Sequence, residues 1–190
     1  MTSRMATVAL LGAAMFAHAD AMNLVTNGGF ETGTLSGWTI AAAACGSDFG
    51  PTTNPDDAHS GNYAAFFAGS CPGSYDSIEQ VLATTPAQEY NLTFFIETNG
   101  ASGTRDLLVD WNGSQILDLA GAGTGSYAEY MFTEQATGSG TILEFQGFNE
   151  AAADFVDDIS VTAVPEPSMG LPLLLGVRVL LRRRSRTRIE

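Results

Sequence analysis

The sequence contains no lysine, and all eight of its basic residues are arginine. Seven of the eight lie near the ends. Between residues 22 and 164 a single base, Arg105, faces eighteen of the chain's 21 acidic residues, a balance of about −17. A body this acidic repels nucleic acid and anionic lipid, which excludes both as its partners, and it suits a divalent cation. Keeping an exported protein soluble is the plainer use of the same charge. Histidine is nearly as scarce, with His18 and His59 alone. His59 sits among proline, aspartate and glycine, and no serine has the setting of a nucleophile elbow, so triad hydrolysis lacks its parts. The glycine-rich run 121–125 is followed by neither helix nor lysine, which argues against a phosphate cradle. Asp56–Asp57, Asp106 with Asp110, and Glu97 have the chemistry of a glycosidase acid and base. Acids in loops and on strand exteriors are ordinarily solvated, however, and the body reads as non-enzymatic.

Cysteine is limited to Cys45 and Cys71, too few with one nearby histidine for a zinc site. In an oxidising compartment they are expected to form a disulfide across a loop that contains Pro51 and Pro55.

The ends indicate that compartment. Arg4 gives a positive start, residues 5–16 are apolar, and Ala17-His18-Ala19 has the small-x-small form of a signal-peptidase site, so residues 1–19 read as a removed signal-peptide helix. Residues 20–163 form one domain. Residues 164–190 open on Pro165-Glu166-Pro167, which can continue neither strand nor helix. An apolar run at 169–181 follows, then Arg182, Arg183, Arg184, Arg186 and Arg188, the order of a membrane-retained tail with its arginines on the cytoplasmic side. The triplet, apolar segment and arginine cluster together resemble the PEP-CTERM sorting signal of Gram-negative bacteria. That resemblance implies export, transient retention in the inner membrane, processing by an exosortase, and delivery to the cell envelope or extracellular matrix. Pro172 and Arg178 interrupt the apolar run, and as a helix it spans about 20 Å against a ~30 Å hydrocarbon core. The short transmembrane segment is therefore expected to hold the membrane weakly.

Within the body, apolar residues alternate with polar ones and turn residues punctuate them. Tyr90, Leu92, Phe94 and Ile96 occupy every second position, as do Leu107, Val109 and Trp111. Asn112-Gly113 is a hairpin turn, returning through Gln115 to Leu117. Further strands are expected in 62–68, 78–82, 127–133, 141–148 and 155–161. Eight or nine short strands without a helical period predict an all-β fold, an antiparallel β-sandwich whose first and last strands lie together.

Two segments carry a second resemblance. Asn23-Leu-Val-Thr-Asn-Gly-Gly-Phe-Glu-Thr-Gly33, continuing to Gly37-Trp38, and Val156-Asp-Asp-Ile-Ser-Val161 are similar to the ends of galactose-binding-like jelly rolls, which include many bacterial carbohydrate-binding modules. The resemblance implies a structural calcium held by the Gly29 carbonyl, Glu31 and Asp157, with 60–62 supplying further carbonyls. Calcium takes six to eight oxygens. Asp157 shares its strand face with Phe155, Ile159 and Val161, which would bury a carboxylate where the body has almost no arginine to pair it. Sugar recognition needs an aromatic plane beside polar groups. Trp111 beside Asn112, Tyr75 near Asp76, Tyr127 and Tyr130 are the candidates, with Trp38 and Trp111 better suited to the core. No carbohydrate-binding residue is assigned. The sequence thus reads as an exported, calcium-stabilised module that binds carbohydrate or matrix polymer. A structural surface protein without a ligand is the alternative, followed by a polysaccharide-degrading enzyme.

Overall fold

The computed structural model describes residues 22–101 and 105–165. The signal segment 1–19 and its helix, Glu166 and Pro167 of the sorting triplet, and the apolar and arginine-rich tail lie outside the described residues.

The alternating segments form strands whose apolar positions turn inward. Ten are present among the described residues: β1 (Thr39–Ala41), β2 (Phe49–Pro51), β3 (Ala65–Phe67), β4 (Asp76–Ala83), β5 (Glu89–Glu97), β6 (Arg105–Trp111), β7 (Ser114–Ala120), β8 (Tyr127–Gln135), β9 (Gly140–Asn149) and β10 (Asp154–Ala163). Among the described residues the one helical element is a single 3-10 turn, Pro55–Asp57, capped by the Asn54 side chain. The strands pair antiparallel in two five-stranded sheets, β1-β4-β9-β6-β7 and β2-β3-β10-β5-β8. Two sheets each with one apolar face must bury those faces against each other, and an antiparallel sandwich results. The core between them includes Leu92, Phe94 and Ile96 of β5, Leu107, Val109 and Trp111 of β6, and Leu143 and Phe145 of β9. Phe94 meets Phe145 edge-on across the sandwich at 5.2 Å, and Trp38 meets Phe145 at 6.2 Å. Both tryptophans are buried, Trp38 at 7% and Trp111 at 3% exposure, as the jelly-roll resemblance implied for the first and the strand spacing for the second.

The first and last segments do lie together. Leu24 N–H donates to the Val161 carbonyl (2.8 Å), and Ile159 N–H to the Gly28 carbonyl (3.0 Å). A Cβ at residue 28 would collide with the Ile159 carbonyl oxygen, so glycine is required for this approach. The N-terminal strap forms no strand of its own and passes into turns after residue 25.

β10 departs from simple alternation. Its register with β5 shifts between Asp157 and Ser160, and Asp158 adopts φ 51°. This bulge puts Phe155 and Asp157 on the outer face, opposite Glu97 and Phe95, while Ile159 and Val161 turn into the core. The expectation that Asp157 shares a face with Ile159 and Val161 is therefore corrected, because one extra residue inverts every side chain beyond it.

Cys45 and Cys71 are joined, with Cα atoms 6.0 Å apart. The loop they close is anchored by the buried Asp76 carboxylate, which accepts from the N–H groups of Ala43 and Asp48 and the Ser47 hydroxyl. At the same end of the sandwich Arg105 is buried against Asp154, Nε to Oδ2 at 2.9 Å, each side chain 1% exposed.

Candidate functional site

Two places concentrate chemistry. The first is the outer face of the β1-β4-β9-β6-β7 sheet. Because side chains alternate, every second residue of β4, β9, β6 and β7 points away from the core, and register aligns them into rows. One row runs Glu79–Glu144–Asp110–Gln115, and the next runs Ser77–Gln146–Leu108–Asp118. A third pairs Phe148 with Asp106, beside Tyr75. On the far side, Val81 and Ile142 form an exposed apolar pair, 66% and 37% exposed.

Several polar donors of this face bond to its own acids. Tyr75 donates its hydroxyl to Asp106 Oδ2 (2.8 Å), Gln146 Nε2 to Asp110 Oδ2 (3.2 Å) and Gln115 Nε2 to Asp118 Oδ2 (3.3 Å). Ser77 bonds Glu144. Asp106 Oδ1 and Asp110 Oδ1 are closed to solvent and have no hydrogen-bond partner. Burial raises the carboxyls of Asp106 and Glu144 above the ordinary range, Asp118 adding to the first and Glu79 and Asp110 to the second. Burial and the Asp106 contact also push the Tyr75 phenol up to about 12. Tyr75 meets Phe148 edge-on at 5.4 Å.

The second place gathers Gly29 and Glu31 with Asp157, which lies more than a hundred residues further along the sequence. Around Gly29, a Cβ would lie 3.4 Å from Asp158 Oδ1, 3.8 Å from Asp157 Oδ1 and 3.9 Å from Glu31 Cγ. Asp157 is fully buried beneath residues 59–60, and its Oδ2 accepts from the His59 N–H (2.9 Å) and Ser60 N–H (3.1 Å). Burial pushes its carboxyl up to about 6 despite these bonds, and the Asp158 charge adds to the rise. Glu31 Oε1 accepts from the Asn62 and Tyr63 N–H groups at 2.8 and 2.9 Å, which holds Glu31 below its ordinary value. His59 stacks on Phe95 at 3.6 Å and touches Asp158 through Nδ1 at 2.7 Å. The donors are carboxylate and carbonyl oxygens, the hard set that calcium prefers. Among the described residues no three His, Cys, Asp or Glu side chains are grouped to hold a metal ion by themselves, so a cation here would need main-chain carbonyls as well.

No protein-family model matches the chain, and no curated protein matches it. Its backbone is similar to solved structures. A family 61 carbohydrate-binding module, solved in complex with β-1,4-galactotriose, aligns over 76% of this chain and 100% of its own, at 19% identity and TM-score 0.60. A family 22 xylan-binding domain of Xyn10C from Paenibacillus barcinonensis aligns over 80% and 100%, at 18% identity and TM-score 0.53. The enzymatically active domain of a bacteriophage CBA120 tailspike aligns over 75% of this chain but 21% of its own, at 14% identity and TM-score 0.53. The fold is that of the carbohydrate-binding-module jelly rolls.

On this jelly roll the aromatic candidates separate. Trp111 is in the core and donates Nε1–H to the Gln135 carbonyl, so it offers a sugar no plane. Tyr130 stacks on Phe94, and Tyr127 donates its hydroxyl to the Asp57 carbonyl at 2.7 Å. Tyr75 is left as the candidate beside carboxylates, and its partner is Asp106 instead of neighbouring Asp76, which points inward. Glu79, Glu144 and Gln146 had no signal of their own in the sequence, and Asp110 was singled out there only with Asp106 as a carboxylate pair. Alternation within each strand was visible, but the pairing of β4 with β9 and of β9 with β6 that aligns them was not. On the opposite sheet Phe66 and Phe155, a cross-strand pair, floor a groove of about 360 Å³ that Thr52 and Asp57 also line.

Proposed function

We propose that the chain is an exported envelope or matrix protein whose jelly roll binds polysaccharide on the outer face of the β1-β4-β9-β6-β7 sheet. The observation that carries this reading is the juxtaposition of the half-buried Tyr75, braced edge-on by the buried Phe148, with rows of carboxylate and amide groups on one sheet face. A sugar ring has an apolar face and a rim of hydroxyls, so an aromatic edge beside acceptors matches it. The neighbours solved with galactotriose or named xylan-binding support the same reading. Glu31, Asp157 and the Gly29 carbonyl would hold a structural calcium, which would neutralise the buried Asp157 and pin residues 59–63 to the N-terminal strap. Residues 1–19 and 164–190 would direct signal peptidase and exosortase processing, with transient inner-membrane retention between. Pro165 is exposed just beyond β10, which supports access of a processing enzyme to the triplet. Nothing in this role requires catalysis.

The test is retention by immobilised polysaccharides of differing composition. Tyr75→Ala should reduce binding about tenfold or more, in the range of one lost aromatic contact. Binding that survives Tyr75→Ala and disappears in Phe155→Ala would move the site to the groove on the opposite sheet. Release of reducing ends from the bound polymer, abolished by Glu144→Gln, would overturn the non-catalytic reading.

A further inference from the structure

The outer face of the β2-β3-β10-β5-β8 sheet carries a second groove, of about 320 Å³, lined by Asn91, Thr93, Met131, Phe132 and Thr133. We propose that this groove docks the chain's own apolar run, residues 169–181, and that acids at the far end of the face receive Arg178 and the arginines from Arg182 onward. Docking keeps the apolar run out of water and competes with the membrane for it, whether or not the opposite sheet binds polysaccharide.

Register aligns Thr162, Asn91 and Thr133 in one outward row and Ser160, Thr93 and Met131 in the next. None of the six is charged, on a body that carries about −17, and Met131 stands 70% exposed among them. A bare thioether beside threonine methyl groups gains from being covered, and methionine adapts to irregular apolar partners. Glu89 lies at one end of this neutral strip, and Glu129 and Glu97 lie at the other.

The occupant follows from where the chain leaves the fold. Val164 N–H donates to the Glu89 carbonyl (2.9 Å) and Gln88 Nε2 to the Val164 carbonyl (2.7 Å), so residue 165 departs beside the start of β5, at the Glu89 end of the strip. Strand spacings place the groove roughly 10–15 Å from Val164. Residues 165–168 span about 13 Å when extended, which delivers Met169 to the groove. From Thr133 to Tyr127 the face runs about 20 Å, and residues 169–181 as a helix would cover about the same length. Along such a helix Arg178 falls about 13 Å from Met169, level with Glu129, which lies about 13 Å along β8 from Thr133. The arginine that interrupts a membrane span thus meets a carboxylate. The cluster from Arg182 to Arg188 arrives at the Tyr127 end, where Glu97 stands opposite Tyr127 and the Tyr127 hydroxyl holds the Asp57 carbonyl of the acidic 3-10 turn. Arg105, the single arginine among the described residues, is buried against Asp154 and pairs with none of these acids. Opposite charge therefore aligns the tail in the direction that its length allows.

The experiment is peroxide oxidation of the full chain in detergent-free buffer, followed by peptide mass analysis of each methionine. Met22 and Met131 are 77% and 70% exposed, so an uncovered Met131 should oxidise about as fast as Met22, its internal reference. Docking should slow Met131 at least about fivefold relative to Met22, equally at all protein concentrations. Two variants should each return Met131 to within about twofold of Met22: Leu174→Asp/Leu175→Asp, which breaks the apolar run, and Arg182→Gln/Arg183→Gln/Arg184→Gln, which removes its charge. Both leave the strands untouched. Detergent micelles, which take up the apolar run, should have the same effect as the leucine variant. Equal rates for Met22 and Met131 in the parent chain would overturn the proposal. Slowing that grows with protein concentration would assign the face to a second copy, and slowing that both variants leave unchanged would assign it to another segment; either result overturns docking of the tail.

Discussion

Glu144 shows how a single residue on this face trades stability for chemistry. It lies between Glu79 and Asp110 on adjacent strands, and burial raises its carboxyl above the ordinary range. Replacing it with glutamine keeps the shape and the Ser77 contact while removing two like-charge pairs, each worth up to about 1 kcal/mol. Glu144→Gln should therefore raise the free energy of unfolding by about 0.5–1 kcal/mol as it weakens ligand binding, read from chemical denaturation. A destabilised variant would show that the row is held by something other than tolerance of repulsion. Arg105 gives the opposite case. Its Nε bridges both oxygens of Asp154, at 3.1 and 2.9 Å, and Arg105→Ala leaves that carboxylate buried and uncompensated. The expected loss is about 3–5 kcal/mol, and a loss below 1 kcal/mol would contradict it. At this scale the sequence was partly legible. Burial of Asp157 could be anticipated from its neighbours, although the reason differed. Tyr75 bonds a residue 31 positions away, and no local pattern reveals such a pairing.

Elements that alternate were easier to read than those that do not. β5 and β6 follow the period of two from end to end, and the Asn112-Gly113 hairpin joins β6 to β7 with positive φ at both turn residues, 51° and 76°. The three-residue strands β1, β2 and β3 were less distinct, because so short a strand carries too few positions to show a period. The bulge in β10 was hidden, since Asp158 at φ 51° looks in sequence like another strand residue. That bulge and residues 59–63 together form the proposed calcium site. Calcium should raise Tm by several degrees over chelator, and Asp157→Asn should abolish the difference. An unchanged Tm in both conditions would remove Glu31 and Asp157 from the role of ligands. The neighbouring disulfide is a separate restraint. It closes a loop with a sequence separation of 26, and Cys45→Ser/Cys71→Ser should cost about 3–4 kcal/mol in the loop-entropy account. Non-reducing mass analysis confirms the bond, and a double variant as stable as the parent would show that the loop is already ordered by Asp76.

For the molecule as a whole, the surplus of acid makes stability depend on pH in a defined direction. Burial raises the carboxyls of Asp106, Glu144, Asp154 and Asp157, the last to about 6. A carboxyl whose folded value is raised favours the folded state below its unfolded value, and that contribution is lost as pH rises through the folded value. Above the ordinary carboxylate range, and for Asp157 up to about pH 6, these groups therefore make the calcium-free protein more stable as acid is added. Glu31 acts oppositely, because its value is lowered by the Asn62 and Tyr63 N–H groups. Its contribution is present above the ordinary glutamate value and is lost as pH falls through the lowered one. Self-repulsion of a body carrying about −17 reinforces the trend near neutrality. In chelator, Tm should be higher at pH 5 than at pH 7, and added salt should raise it more at pH 7, where more like charges remain to be screened. Calcium should narrow the pH difference, since a bound cation relieves the burial cost of Asp157 that protons otherwise relieve. A Tm that falls steadily from pH 7 to pH 5 in chelator would mean that the buried carboxylates are stabilised as anions, and the case for a cation beside Asp157 would lose its physical basis.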